Sequence, residues 1–300
     1  MKNRSIRSRR RTDLAIKGLS GVASLTGIFF LGWILIVITL KGSKAINLDF
    51  FTQLPAPPMV PGGGLGNAIL GTSMITVLAT LIGVPIGLMA GVFLSEFGRG
   101  TPIAGVIRFA ANILMGTPSI IIGIFIYVLF VAPMGGFSGY AGAIALAVIM
   151  LPVVTRTTED MLSLVPDALR ESALALGAPR WKMTIGVVFR AASTGLITGS
   201  LLAVARVSGE TAPLLFTALN SPFWPRSLSE PTANLTVTIF NYAMSPYEDW
   251  QAMAWGASLL ITAGVLGITV FVRFILDGLI KSPSKRPVRA PKSRTGVVSH

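Results

Sequence analysis

Two ionisable residues, Arg206 and Glu210, interrupt an otherwise apolar stretch of the sequence, AVARVSGETAPLL. An arginine at the centre of a membrane-spanning helix costs about 2.5–3.5 kcal/mol on insertion scales, so its presence needs a specific reason. A guanidinium group stays charged and offers fixed N–H donors that match a tetrahedral oxyanion in a bidentate arrangement. We interpret Arg206 as a transient binding point for an anion that crosses the membrane. Glu210 would hold and neutralise Arg206 when the path is empty.

A structural ion pair is the alternative, because residues four apart lie on the same face of a helix. However, Arg before Glu is the less favourable order for such a pair. Gly209 and Pro213 also weaken the helix, as is typical of membrane helices that line a cavity. The sequence therefore favours an ion or substrate pathway.

The composition indicates a polytopic membrane protein. Of the 300 residues, 52% are hydrophobic and 12% are charged, with a mean hydropathy of +0.72. Soluble domains carry about 25% charged residues. Cysteine is absent from the sequence, which excludes disulfides and thiolate metal sites. The net charge of +13 sits at the termini and in particular loops, without the aromatic residues that a nucleic-acid groove interleaves with basic ones.

Six apolar stretches are long enough to cross a bilayer and predict an all-α membrane protein. They are approximately residues 19–40, 67–97, 104–132, 140–155, 191–219 and 252–276. We expect a transmembrane domain over residues 19–280, between basic tails at 1–18 and 281–300 whose composition suggests disorder. The third stretch should break near Pro118. Gly83, Gly87 and Gly91 lie on one face of the second and predict close packing against another helix.

The distribution of Lys and Arg predicts that both termini are cytoplasmic. With the N-terminus inside, 21 of the 25 basic residues fall in cytoplasmic segments, 3 fall outside, and Arg206 lies in the fifth span. This asymmetry is the positive-inside pattern. The external segments 41–66 and 220–251 are rich in proline, and the first of them should not be helical. Aromatic residues in the second of them fit either the lipid–water boundary or contact with an external partner.

A central cytoplasmic segment, residues 157–190, predicts a helix, a glycine turn and a second helix. Apolar residues recur at helical spacing, with Asp167, Arg170 and Glu171 between them. Gly177 followed by Pro179 is a helix stop signal. From its pattern alone the segment could be an ordinary amphipathic connector.

The residues Glu171-Ser172-Ala173, with Gly177 four residues later, resemble the EAA loop of ABC importer permeases. Ser172 replaces the first alanine of that motif, and its usual Ile-x-Leu-Pro ending is replaced by Val187–Arg190. In that family the loop forms a cytoplasmic coupling helix that docks on the ATPase subunit. The resemblance assigns this role to Glu171, Ser172, Ala173, Leu174 and Gly177.

The stretch Arg206–Pro213 resembles the signature of phosphate-importer permeases, and its Thr-Ala-Pro ending is similar to the PstA type. Gly116-Thr117-Pro118-Ser119 and Ala175–Trp181 agree with this resemblance. It implies a type I importer permease in the inner membrane of a bacterium or archaeon, with Arg206, Glu210 and Thr211 on the substrate pathway. The implied partners are a PstC-like permease, a PstB-like ATPase dimer and an external phosphate-binding protein.

We expect this chain to be a permease rather than an enzyme. It contains no Gly-Lys dipeptide and hence no Walker A loop, so ATP should bind to the partner ATPase. Its single histidine is His300, and no Gly-x-Ser-x-Gly occurs, so we assign no catalytic or metal-binding residue. Importers of sulfate or molybdate, and a secondary anion transporter, remain as alternatives, because arginine alone does not distinguish tetrahedral anions.

Overall fold

The computed structural model describes residues 6–60 and 62–280. Within these residues the chain forms helices joined by turns and loops, with no β-strand. The helices are α1 (Ile6–Gly42), α2 (Leu48–Thr52), α3 (Gly66–Phe97), α4 (Pro102–Gly116), α5 (Ser119–Met134), α6 (Gly139–Ser163), α7 (Asp167–Ala175), α8 (Arg180–Val207), α9 (Ala212–Leu215), α10 (Leu235–Ala243) and α11 (Glu248–Ile280). The turns Phe93–Phe97 in α3 and Thr184–Val188 in α8 are wound as π-helix.

The helices α1, α3, α6, α8 and α11 are each long and apolar enough to cross a membrane. Together α4 and α5 also pass this test, but a bend of 106° separates them. At the bend Thr117 has φ −80° and ψ 129°, because a following proline disfavours the helical region for the residue before it. The predicted break near Pro118 is confirmed, and with the bent pair the spans number up to six.

The closest helix packing joins α3 to α6 through the predicted glycine face. A Cβ atom added to Gly87 would lie 2.7 Å from the Cβ of Val154, and one added to Gly83 would lie 3.2 Å from the carbonyl oxygen of Ala147. Close approach of this kind is possible because glycine has no side chain. The prediction that this face packs against another helix is confirmed.

The central helix of the bundle is α6, whose most apolar stretch is 67% buried inside the chain. Small residues along it let α3 pack on one side and α8 on another, where Gly199 lies against the methyl group of Thr157. By contrast, no residue in the most apolar stretch of α1 is buried. An exposed apolar helix of this length is typical of a segment covered by lipid or by another subunit. It touches α11 near its end, at Gly42 and Trp255.

Several boundaries differ from those expected from the sequence. Residues 6–18 continue α1 as helix rather than forming a disordered tail, and α6 extends to Ser163 rather than ending near 155. Helices α2 and α10 occur in the two proline-rich segments, where Asn47 and Asn234 cap them by accepting a backbone N–H. An asparagine cap followed by a short apolar run is a helix signal that proline counts conceal. The C-terminal tail, 281–300, lies outside the described residues.

Candidate functional site

The candidate anion site lies where α8 ends. Residues 208–210 form a turn in which the N–H of Gly209 donates to the carbonyl of Arg206 at 3.3 Å, and that of Glu210 to Val207 at 3.1 Å. The predicted continuous helix over residues 191–219 is therefore wrong. Its physical reason is Pro213, whose ring would collide with the carbonyl of Gly209 in an unbroken helix.

Because of this break, Arg206 and Glu210 do not lie on one continuous helix. Arg206 is exposed on the last turn of α8, and Glu210 is half-buried in the turn that follows. Within the residues that the structure describes, they form no ion pair with each other. The hypothesis that Glu210 neutralises Arg206 is not supported by this conformation. The guanidinium instead presents its donors at the surface.

Neighbouring helices hold the break in place. The hydroxyl of Thr236 in α10 donates to the carbonyl of Glu210 at 2.9 Å. On the other side, α9 packs so closely on α5 that a Cβ on Gly123 would lie 2.6 Å from the Cα of Pro213. Thr211 is half-buried at the start of α9, and its carbonyl accepts the N–H of Leu214 at 3.1 Å. Contacts with α10 and α5 therefore hold the backbone of the Arg206 turn in place.

At the opposite end of α6, the segment resembling the EAA loop forms α7 and a glycine turn. Gly177 has φ +82°, and Ala178 donates its N–H to the carbonyl of Ala173 at 3.2 Å while Gly177 donates to Leu174 at 2.9 Å. These two hydrogen bonds define a Schellman motif, which requires a left-handed residue that is usually glycine. The predicted helix, glycine turn and second helix are confirmed, with the second helix starting at Arg180.

The predicted coupling residues divide between two faces of α7. Glu171 and Ser172 are exposed, whereas Ala173 packs against the buried cluster that contains Leu162 and Val165. Leu174 is partly exposed, and Leu176 beyond it is 89% exposed. The outer face thus offers one carboxylate and apolar side chains to a partner, while the inner face anchors the helix.

An ion pair between Arg170 and Glu96 anchors α7, and it was not predicted from the sequence. The Arg170 Nη2 donates to Glu96 Oε1 at 2.8 Å and its Nε to Glu96 Oε2 at 3.2 Å. Their side chains are only 8% and 4% exposed. The hydrogen bond to Glu96 raises the pKa of Arg170 above its ordinary value, against the lowering by burial; the charges of Glu96 and Asp167 add to the rise. A carboxylate between the apolar residues Leu94 and Phe97 at the end of α3 was the available signal.

A second ion cluster connects α4, α6 and α3 at the same end of the bundle. Arg108 donates to Glu159 at 2.6 Å and to the carbonyl of Leu94 at 3.3 Å, and Arg156 approaches Glu159 at 3.4 Å. In the part of the chain that the structure describes, no group of three His, Cys, Asp or Glu residues could hold a metal ion. The charged residues of this end are therefore organised as ion pairs between helices.

A family model described as "Binding-protein-dependent transport system inner membrane component" matches residues 83–285. The chain has the fold of type I ABC importer permeases. It resembles a subunit of a bacterial alginate ABC transporter with a TM-score of 0.64 at 14% identity, over 92% of this chain and 98% of that one. A subunit of the MetNI methionine ABC transporter gives a TM-score of 0.57 at 20% identity, over 72% and 94%. The chain therefore belongs to this family of inner-membrane permeases.

The sequence is 49% identical to the phosphate transport system permease protein PstA of Yersinia pestis over 267 residues, which are 89% of this chain and 90% of the relative. It is 48% identical to the protein of the same name from Haemophilus influenzae, over 90% of this chain and 95% of the relative. A probable PstA of Methanocaldococcus jannaschii is 38% identical, over 87% of this chain and 92% of the relative. Within the permease family, the chain therefore belongs to the PstA group.

Proposed function

We propose that this chain is a membrane subunit of an ATP-driven importer that moves inorganic phosphate inward across the cytoplasmic membrane. The observation that carries the proposal is the exposed Arg206 at a break in an apolar helix of a PstA-type permease. A fixed guanidinium fork provides the charge and the paired donors that a phosphate oxyanion needs.

The surroundings of Arg206 suit transient rather than tight binding. Its guanidinium is exposed, so bound anion would keep part of its hydration and leave readily. Glu210 is half-buried in the same turn, and a carboxylate there would oppose a nearby anion. Thr211 adds a hydroxyl that can donate to an oxyanion. We assign Arg206 the role of transient ligand, with Glu210 and Thr211 setting its affinity.

The outer face of α7 suggests where ATP hydrolysis enters the cycle. We assign Glu171, Ser172 and Leu174 to contact with a cytoplasmic ATPase dimer, and Gly177 to the turn that shapes this surface. ATP binds to that separate chain. A PstC-like permease completes the transmembrane pathway, and an external phosphate-binding protein delivers the substrate. The second candidate cargo is another oxyanion such as sulfate or molybdate, because a guanidinium can bind any of them in the same bidentate way.

The test is ATP-dependent uptake of labelled phosphate by vesicles that contain this chain, the partner permease and the ATPase, with the phosphate-binding protein supplied on the outside. We expect uptake to require all three chains and Arg206→Gln to reduce it at least about tenfold, equivalent to about 1.4 kcal/mol. Arg226→Gln is the matched control, because Arg226 is an exposed arginine in the loop between α9 and α10.

Three results would contradict parts of this proposal. Uptake at the normal rate with Arg206→Gln would exclude the anion role of Arg206. Uptake without the ATPase would indicate a secondary transporter. Transport of sulfate or molybdate in place of phosphate would keep the ATP-driven machine and change its cargo.

A further inference from the structure

Arg170 makes five hydrogen bonds, as many as a guanidinium has N–H donors. Besides the two bonds to Glu96, Nη1 donates to the carbonyl of Val165 and to Asp167 Oδ1 at 3.1 Å, and Nη2 donates to the carbonyl of Leu162 at 2.7 Å. A buried arginine is costly unless its charge and donors are satisfied, and here both conditions are met. The side chain therefore has one well-defined position.

The acceptors of Arg170 belong to separate parts of the bundle. Glu96 lies in the π-helical end of α3, where Ser95 Oγ donates to its Oε1 at 2.9 Å. Leu162 lies in the last turn of α6, and Val165 follows it. Because α3 and α6 are themselves in close contact along the glycine face, one side chain ties α7 to both helices of a tight pair.

The other end of α7 is held differently. In the described chain no ion pair or side-chain hydrogen bond joins residues 175–179 to the rest of the protein. The turn around Gly177 has open space where a Cβ would lie, and Leu176 is 89% exposed. The link from α7 to α8 is therefore this backbone turn together with the apolar packing of Ala173 against the cluster that contains Met183 and Val188, whereas the link from α7 to α3 and α6 is a buried, fully bonded ion pair.

We propose that Arg170 is the positioning residue that makes α7 move as one body with α3 and α6 when the ATPase displaces it. The inference rests on the proposed docking of α7 on an ATPase. Motion relative to α8 is taken up at the Gly177 turn and by sliding of the apolar contact between Ala173 and the cluster that contains Met183 and Val188. A lysine at position 170 keeps the charge but has three donors and no planar fork, so it cannot make the five hydrogen bonds that Arg170 makes.

The first experiment uses Arg170→Lys in the complete complex, reconstituted in vesicles. We expect the amount of assembled complex to stay within about twofold of wild type, while phosphate moved per ATP hydrolysed falls at least about tenfold. Arg99→Lys is the matched control: Arg99 approaches Asp167 at 3.6 Å on the exposed surface, where ion pairs contribute little. An unchanged ratio in Arg170→Lys, or a loss fully explained by less assembled complex, would overturn the proposal.

A distance measurement tests the same idea without any transported cargo, which separates its failure from that of the proposed function. Because the chain has no cysteine, spin labels can be placed by single substitutions. One pair joins Ala168→Cys on α7 with Leu81→Cys on α3, and the other joins Ala168→Cys with Leu202→Cys on α8; all three positions are exposed, and none is assigned to contact with the ATPase. Leu81 is about 22 Å along the helix from Glu96.

In the wild-type complex we expect ATP to leave the α7–α3 distance unchanged and to shift the α7–α8 distance. In Arg170→Lys the α7–α3 distance should broaden or shift with ATP. If the wild-type α7–α3 distance changes as much as the α7–α8 distance, α7 does not move with α3, and the proposal is wrong whatever the cargo.

Discussion

Alanine substitution of the glycines between α3 and α6 tests the packing on which this proposal depends. A Cβ on Gly91 would lie 2.7 Å from the carbonyl oxygen of Thr155 and would also collide with the side chain of Thr158. The backbone oxygen cannot rotate away, so the helices must separate. Gly87→Ala meets Val154 Cβ at 2.7 Å, and Gly83→Ala meets the Ala147 backbone at a milder 3.2 Å.

The expected magnitudes follow from two opposing terms. Overpacking a tight contact costs about 1–3 kcal/mol, whereas alanine is favoured over glycine within a helix by about 1 kcal/mol. Gly105 in α4 is the matched control, because nothing lies within 4 Å of its added Cβ. We expect Gly105→Ala to be stabilising by up to about 1 kcal/mol, Gly83→Ala to be near neutral, and Gly87→Ala and Gly91→Ala to be destabilising.

The assay is the midpoint of thermal loss of the monodisperse complex in detergent. A change of 1 kcal/mol corresponds to a shift of about 1.6 °C for a chain of 300 residues. The thermal midpoint should therefore be highest for Gly105→Ala and lower for Gly83→Ala. It should be lowest for Gly87→Ala and Gly91→Ala. Equal midpoints for Gly91→Ala and Gly105→Ala would refute the conclusion that α3 and α6 are in contact through this face.

Two further predictions concern α7. Gly177→Val places a β-branched residue at φ +82°, a left-handed conformation that costs about 1–2 kcal/mol. We expect normal assembly of the complex but loss of transport-coupled ATP hydrolysis. Retained coupling would argue against the docking role. Glu171→Lys reverses an exposed charge and should weaken co-purification of the ATPase at least about tenfold, whereas Lys182→Glu, at an exposed position in α8, is the control for a charge change outside α7.

Hydropathy and glycine spacing predicted much of this fold because both act locally. The spans follow from apolar runs, the α4–α5 bend from Pro118, and the Schellman turn from Gly177. Pro213 also indicates that α8 must end near Gly209. In a continuous helix its ring would collide with the carbonyl of the residue four positions earlier. Pro213 entered the prediction only as a weakening of the helix, so the predicted span over residues 191–219 is too long.

The pair of Arg170 and Glu96 could not be predicted in the same way. The two residues are 74 positions apart, and each follows a pattern that is also typical of a solvated helix end. Only the packing of α3 against α6 brings them together, and there they form a buried, hydrogen-bonded ion pair. The amphipathic pattern of α7 predicted a buried face but not that an arginine would occupy it.

The same central helix also meets the candidate anion site. Near its start, Gly142 packs against Ala218 and Leu214, which belong to the segment that holds the break after Arg206. Near its end, Leu162 accepts a hydrogen bond from Arg170. These positions on α6 are about 30 Å apart, the thickness of a bilayer core. If α7 moves with α6, a displacement of α7 reaches the Arg206 turn through one continuous helix. Substitutions at Gly142 should then impair uptake without weakening contact with the ATPase.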